Sequence, residues 1–402
     1  MDSGSIAWML TASALVLLMT PGLAFFYGGL VRAKNVVSTI MYSFIAMSLA
    51  TVVWLLWGYS LAFGSGSAFI GDLSFIGLQG IGIEDGEGVP TLLFVAFQGM
   101  FAIITPALIT GAFVERFKFT TYLVFLVLWL TLVYAPVCHW VWHENGWLWD
   151  MGALDFAGGT VVHINAGIAA VAAAMMVGKR RNPGMEPHNV PYVVLGAGLL
   201  WFGWFGFNAG SAVAADTLAV SAFIVTNVAA ATAALTWGLI SHFRSGRMSA
   251  VGVATGAVAG LVAITPASGF VGPMGALAIG FIAGVLCFIS VEIINRTGLD
   301  DALDVFAVHG VGGIVGALLT GVFAVEAIGG TAGLIEGNGA VMGPQIIGVL
   351  ATLGYSLVVT LTILFILDKI PGLGLRVGER DEDEGLDISA HGERAHVRDG
   401  AD

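Results

Sequence analysis

The stretch Asp155-Phe-Ala-Gly-Gly-Thr-Val-Val-His163-Ile-Asn-Ala-Gly167 puts an acid at the mouth of an apolar segment and a histidine two helical turns deeper. Ionisable groups at membrane depth are costly and face a bundle interior or a polar pathway, which makes His163 a candidate functional residue. A second histidine, His309, stands in a similar setting behind Asp301 and Asp304.

Working outward from these two residues, the chain is apolar nearly throughout. Of 402 residues 57% are hydrophobic and 10% charged, with a mean hydropathy of +0.91. The apolar runs exceed the roughly 20 residues a helix needs to cross a hydrocarbon core and lack the alternation of a membrane barrel. The sequence therefore predicts an all-α polytopic membrane protein. Its 57 glycines imply close helix packing, because small residues let backbones approach where lipid and protein are equally apolar. Met1 to Ser5 carries an acid and no basic segment, so a retained first helix is expected rather than a cleaved signal peptide. Cys138 and Cys287 have no metal-ligand spacing and read as free thiols. No metal or cofactor is expected, and nucleic acid is not an expected partner of a chain with net charge −12.

Lys and Arg collect on the cytoplasmic side of membrane segments. They fall here into six groups: Arg32 and Lys34; Arg116 and Lys118; Lys179 to Arg181; Arg244 and Arg247; Arg296; and the tail from Lys369 to Arg398. Each interval between groups is long enough for a hairpin that leaves and returns, so five hairpins after one leading span give eleven transmembrane helices. Their expected positions are 6–30, 36–63, 91–112, 121–140, 159–177, 190–208, 218–241, 249–267, 274–294, 305–325 and 343–367, with the N-terminus outside and the C-terminus cytoplasmic. Asp72, Glu84, Asp85, Glu87, Glu144, Asp150, Asp216, Glu326 and Glu336 then make an acidic outer face. Such a face raises the local cation concentration.

Ile104-Thr-Pro-Ala107 recurs five spans later as Ile264-Thr-Pro-Ala267, and the acid-then-histidine pattern recurs over the same interval. A five-helix unit has an odd number of crossings, so its second copy enters the membrane inverted. Two inverted five-helix repeats plus one added helix are expected, with a substrate path between the halves.

Only His163 and His309 of the eight histidines lie inside apolar spans. Each alone could be a neutral core histidine. As a facing pair they could hydrogen-bond to one another and relay a proton, since imidazole titrates near neutral pH. Phe97, Phe101, Trp142, Trp204 and Phe207, with Asn208 and Ser211 nearby, could form a dehydrating cation site through ring faces and a hydroxyl, although most of 25 Phe and 11 Trp in such a chain are packing or interfacial residues. Asp155 reads as a helix N-cap.

At these residues the chain resembles the ammonium transporter family (Amt/Mep/Rh), in its prokaryotic Amt branch. The matching stretches are Phe97-Gln-Gly-Met-Phe101 with Ala102 to Ala107, Gly152 to His163, Gly203-Trp-Phe-Gly-Phe-Asn-Ala-Gly-Ser211, Asp304-Val-Phe-Ala-Val-His309-Gly310, Gly374-Leu-Arg-Val377 and Glu384-Gly-Leu-Asp387. The resemblance implies a homotrimer in the cytoplasmic (inner) membrane, each subunit with its own pore, that moves ammonium inward and accepts methylammonium as an analogue; it is not an enzyme. It assigns Phe97, Phe101, Trp142 and Ser211 to an outer recruitment site, Phe101 and Phe207 to a stacked gate, His163 and His309 to the pore, and Asp155 to a structural acid. In place of the glycine-rich turn common in the family after Trp142, this chain has His143-Glu-Asn145 with Trp140, Trp147 and Trp149, so a more polar and crowded vestibule is expected.

Residues 1–368 read as the transmembrane domain and 369–402 as a charged tail, solvated by composition. By resemblance the tail, with Gly374, Arg376, Gly385 and Asp387, packs under a neighbouring subunit and cooperates with a PII-type signal protein. Two other readings stay open at this point: an ammonium sensor of the same fold, and a membrane cytochrome with His163 and His309 as haem ligands. A retinal protein is disfavoured because no Lys sits mid-span.

Overall fold

Backbone N–H and C=O groups surrounded by hydrocarbon must find partners within their own segment, and each long apolar run here does so as a helix. The computed structural model describes residues 2–396 apart from 84, 85, 87 and 185. Glu84, Asp85 and Glu87 of the expected acidic face, and Arg398 of the tail, lie outside the described residues.

Among the described residues, ten helices are long and apolar enough to cross a membrane. They are α1 (Ser3–Leu30), α2 (Ala33–Phe63), α3 (Thr91–Ala112), α4 (Phe119–Asp150, broken at 143–146), α5 (Gly159–Val177), α6 (Val190–Ala212), α7 (Thr217–Ser245), α9 (Pro273–Thr297), α10 (Phe306–Phe323) and α11 (Gly339–Lys369). Between α7 and α9 lies α8 (Ala250–Ile264), apolar and shorter at 15 residues. Two short helices follow, α12 (Glu379–Glu384) and α13 (Leu386–His391). The only β pairing among the described residues is a single bridge between Phe117 and Arg376.

Contacts gather the basic residues at one end of the bundle, in part by burying them. Arg116 and Arg180, used in the sequence as markers of the cytoplasmic side, are 0% and 7% exposed. Arg116 donates to the carbonyls of Ala112, Val114, Gly178 and Asp300 at 2.7–3.2 Å. Helix ends leave carbonyls without intrahelical partners, and this guanidinium satisfies those of α3, α5 and the α9–α10 loop together. Burial lowers its pKa to about 10, which leaves it charged at neutral pH. Arg180 grips Asp300 with two nitrogens (2.6 and 2.9 Å) and faces Glu115 at 3.6 Å, which Arg32 also reaches at 3.5 Å.

The tail is docked on its own chain rather than solvated along its length. Lys118 N donates to Leu375 O (2.9 Å) and Val377 N to Arg116 O (3.0 Å). Arg376 pairs with Glu382 at 2.7 Å and donates to Val177 O. Asp387 accepts from Ser38 N (2.8 Å), while Leu386 N donates to Asn35 Oδ1 (2.8 Å). Leu375, Glu382, Leu386 and Asp387 are buried. Charge composition underestimates this docking because two leucines supply apolar burial, Asp387 finds a backbone N–H donor near the start of α2 and Glu382 finds one at Arg181. Gly374 and Gly385 form its turns with φ of 64° and 109°; a side chain at Gly385 would strike Lys34.

Candidate functional site

Asp155 anchors the end of the pathway opposite the basic end. Its Oδ1 accepts from the N–H of Gly158 (2.8 Å) and Gly159 (2.7 Å), and its Oδ2 from Thr160 (2.8 Å) and Val161 (3.2 Å). One carboxylate thus satisfies the orphan donors that open α5. Burial raises its pKa against the pull of these four donors. The chain enters α5 through Gly158 at φ 122°, where a Cβ would also strike the Val162 side chain. Trp142 Nε1 donates to the Asp155 carbonyl at 3.0 Å, so the capping acid also fixes the indole.

That indole closes one side of a cavity of about 590 Å³, lined also by Phe101, Asp155, Ser211, Gln98 and Trp149. The Phe101 ring meets Trp142 edge-on, with centroids 5.6 Å apart at 86°. Ser211 spends its hydroxyl hydrogen on Phe207 O (2.8 Å), leaving oxygen lone pairs. Gln98 is 9% exposed and its Oε1 has no hydrogen-bond partner. Rings plus uncommitted oxygens suit a small cation.

Below this cavity the rings form a column. Phe101 and Phe207 are 4.4 Å apart at 49°; the pair expected to stack is tilted, and its close contact still obstructs the path. Phe207 stacks on His163 (5.8 Å, 19°) and His163 on His309 (5.3 Å, 25°). Trp204, held by a bond to Thr265 Oγ1 at 2.9 Å, also stacks on His163 (5.4 Å, 23°) and lies beside Phe207 (5.2 Å).

Both histidines sit on wide π-turns, Gly159–Ile164 and Phe306–Gly310, local unwinding that often marks functional positions. Their Nδ1 atoms are 3.2 Å apart. The helices approach this closely because Gly167 of α5 lies directly on Gly310 of α10, where a Cβ would collide with the Gly310 backbone. His163 Nε2 is buried without a partner. The lumen beside the pair, lined by Leu23, Ile104, Val162, Leu200 and Trp204 among others, leaves about 10 Å³ for the centre of a water-sized sphere, room for roughly one such molecule. Two imidazoles in direct contact have no space for a macrocycle between them, which removes the cytochrome reading. On the far side, His309 opens into a cavity of about 660 Å³ at the basic end.

The sequence matches the model of the Ammonium Transporter Family over residues 7–396. The chain belongs to this family. It is 52% identical over 401 residues to an ammonium transporter of Aquifex aeolicus, covering 98% of this chain and 94% of that protein. The crystal structure of Saccharomyces cerevisiae Mep2 superposes with a TM-score of 0.88 at 39% identity, covering 94% and 88% of the two chains. A solved structure described as a sensor Amt protein gives 0.89 at 31% identity, over 96% and 98%.

Against the roles that family resemblance suggests, the geometry brings Phe101, Trp142, Ser211 and Asp155 to one cavity and Phe207, His163 and His309 to one column. Phe97 stands behind this group, fully buried with its ring on Phe101 (5.0 Å) and against Gly210, and does not line the cavity. Trp149, one of the tryptophans expected to crowd the vestibule, does line it, as does Gln98, which was not singled out in the sequence. Gln98 lies inside the very motif quoted for Phe97 and Phe101, but helical periodicity cannot choose a face in a helix that is apolar all round.

Proposed function

We propose that this ammonium transporter family member takes up ammonium across the cytoplasmic membrane by binding it in the Trp142 cavity, removing a proton, and passing ammonia and the proton along the histidine pair. The observation that carries the reading is the 3.2 Å Nδ1 contact in a lumen of single-molecule width between two larger cavities. One N–H fits between the two Nδ1 atoms, so one ring presents Nε2–H and the other an Nε2 lone pair. A proton taken by His163 Nε2 displaces its Nδ1 proton to His309 Nδ1, and His309 then gives up its Nε2 proton to the far cavity. Neutral ammonia passes the apolar lumen, where a desolvated cation is penalised.

Recruitment falls to the Phe101 and Trp142 rings and to Ser211, with Phe97 supporting Phe101, and the Phe101–Phe207 contact is the gate. Eleven spans in two inverted repeats plus one helix, N-terminus outside, fit this pathway. Asp155 and Asp301 each stand eight positions before a pore histidine. Phe156 N also donates to Pro266 O (3.1 Å) as Ala302 N does to Ala112 O (3.4 Å). Residues 1–368 are the transporter domain and 369–402 a regulatory tail, in a homotrimer inhibited by a PII-type protein. Proteoliposomes carrying His163→Ala and His309→Ala together should lose coupled methylammonium uptake and transient current; unchanged electrogenic uptake would sink the mechanism.

A second reading, a sensor that reports ammonium through the tail, is favoured by the link from Val377 through Arg116 to the Asp300 carbonyl at the far cavity. Deleting residues after Val377 should then abolish signalling and spare uptake.

A further inference from the structure

The two acids that precede the pore histidines are treated differently. Asp155 has both oxygens saturated by four N–H groups. At the matching place before His309, Asp301 accepts from Phe306 N through Oδ2 (2.7 Å), while its Oδ1 has no hydrogen-bond partner. Asp301 is 4% exposed and lines the 660 Å³ cavity together with Asp304, Asn295 and His309. An unsatisfied buried oxygen on a carboxylate is costly. A helix cap alone does not explain it.

None of the neighbouring cations pairs directly with that oxygen. Arg180 is committed to Asp300 and Glu115, and Arg116 to carbonyl oxygens and the Asp300 carboxylate. Among the described residues neither Asp301 nor Asp304 has an ion-pair partner within 4.0 Å. Asp304 holds a backbone φ of 57° and its carboxylate faces Asn295. No group of three or more His, Cys, Asp or Glu able to hold a metal ion occurs among the described residues, so the two carboxylates favour a small monovalent cation over a divalent metal.

We propose that Asp301 and Asp304 form a second ammonium site on the exit side of the pore, where ammonia leaving the histidine pair is protonated and held before release. This deepens the transport reading and rests on it. The transfer moves one proton from a carboxyl oxygen to the ammonia nitrogen, leaving a carboxylate beside an ammonium ion; solvent in the cavity restores the carboxyl proton after the cation departs. Ammonia is the stronger base, so the step runs downhill.

The acids are poised for this. Burial pushes Asp301 up to about 6, against pulls from the Phe306 and Val305 N–H groups and Arg116. Burial and then the Asp301 charge push Asp304 up to about 7, against Asn295 and Arg180. Lys179, Asp300, Tyr27 and His309 complete the titratable lining. Because both acids are raised, the proton-donating form predominates below those values. Cation occupancy, which needs the carboxylate, falls away as pH drops through about 6.

The test is infrared difference spectroscopy of the full-length protein in nanodiscs at pH 6, titrated with ammonium chloride or with sodium chloride at equal ionic strength. Ammonium should abolish a protonated-carboxyl band that sodium leaves in place. Asp301→Asn, which preserves the Phe306 bond, should weaken the ammonium effect about tenfold, the scale of one charge-assisted hydrogen bond. Asp301→Asn with Asp304→Asn should remove the band. The His163→Ala protein, altered at a pore residue that does not line this cavity, should keep the ammonium response while losing coupled uptake; this separates failure of the site from failure of the pore mechanism. A band insensitive to ammonium, equally sensitive to sodium, or persisting in the double Asn variant would overturn the proposal.

Discussion

Replacing Gly167 by Ala tests the geometry on which the histidine pair depends. The added Cβ would fall on the N and Cα of Gly310 and lie 3.2 Å from His309 C. All three are backbone atoms and none can rotate away. Ordinary van der Waals contact begins near 3.4 Å, so α5 and α10 must part by about 1 Å at this crossing. The Nδ1 separation then grows from 3.2 Å to about 4 Å, past hydrogen-bonding range. Overpacking costs about 1–3 kcal/mol and the lost bond about 1 kcal/mol more. Thermal unfolding in detergent should show a lower Tm, and methylammonium uptake in proteoliposomes should fall at least about tenfold, since a relay needs contact. Gly354→Ala on α11, where nothing lies within 4 Å, is the control and should be neutral or slightly stabilising. Uptake and Tm in Gly167→Ala equal to those of the control would refute the claim that this crossing sets the pair.

Three further outcomes are expected. Asp155→Asn leaves two of four buried N–H groups facing an amide NH₂, at about 2–4 kcal/mol, and should lower the unfolding temperature even without substrate. Gln98→Leu removes an unpartnered buried oxygen, so its stability should hold or rise while KM for methylammonium rises about tenfold, a charge-assisted bond lost from the complex; a lower Tm with unchanged KM would return Gln98 to a packing role. Asp387→Ala removes the acceptor for Ser38 N, worth about 1.4 kcal/mol and hence about tenfold in tail release, read as faster trypsin cleavage after Arg380 and Arg394.

Segment positions were legible because membrane helices must satisfy their backbones internally, and hydropathy therefore marks them: the expected 159–177 coincides with Gly159–Val177. The histidine pair was legible because an ionisable residue amid apolar neighbours carries its own signal. Facing was not. Phe97 and Gln98 are adjacent in sequence, yet Phe97 packs behind Phe101 while Gln98 opens to the cavity; a helix without an apolar stripe does not encode which side meets the path. Burial at the basic end was not legible either. Arg116 and Arg180 served in the sequence only as markers of one membrane side, yet carbonyls at the ends of α3 and α5 and in the α9–α10 loop, with the Asp300 carboxylate, draw them inside.

The difference between the two acid-to-histidine segments gives the pathway a direction that sequence likeness conceals. Each segment has an acid eight positions before its histidine and a π-turn beneath it, so an undifferentiated pore would present two similar mouths. At the Asp155 mouth the carboxylate is consumed by backbone donors, and aromatic rings with neutral oxygens face the cavity. Such groups attract a cation without binding its proton. At the Asp301 mouth the aromatic lining among the described residues is Phe26 and Tyr27, and carboxylates raised toward neutral pH also face the cavity. In the proposed mechanism one end holds an ion while it gives up a proton, and the other returns one. That division requires the acids to be unlike, and the free Oδ1 of Asp301 is where the unlikeness is visible.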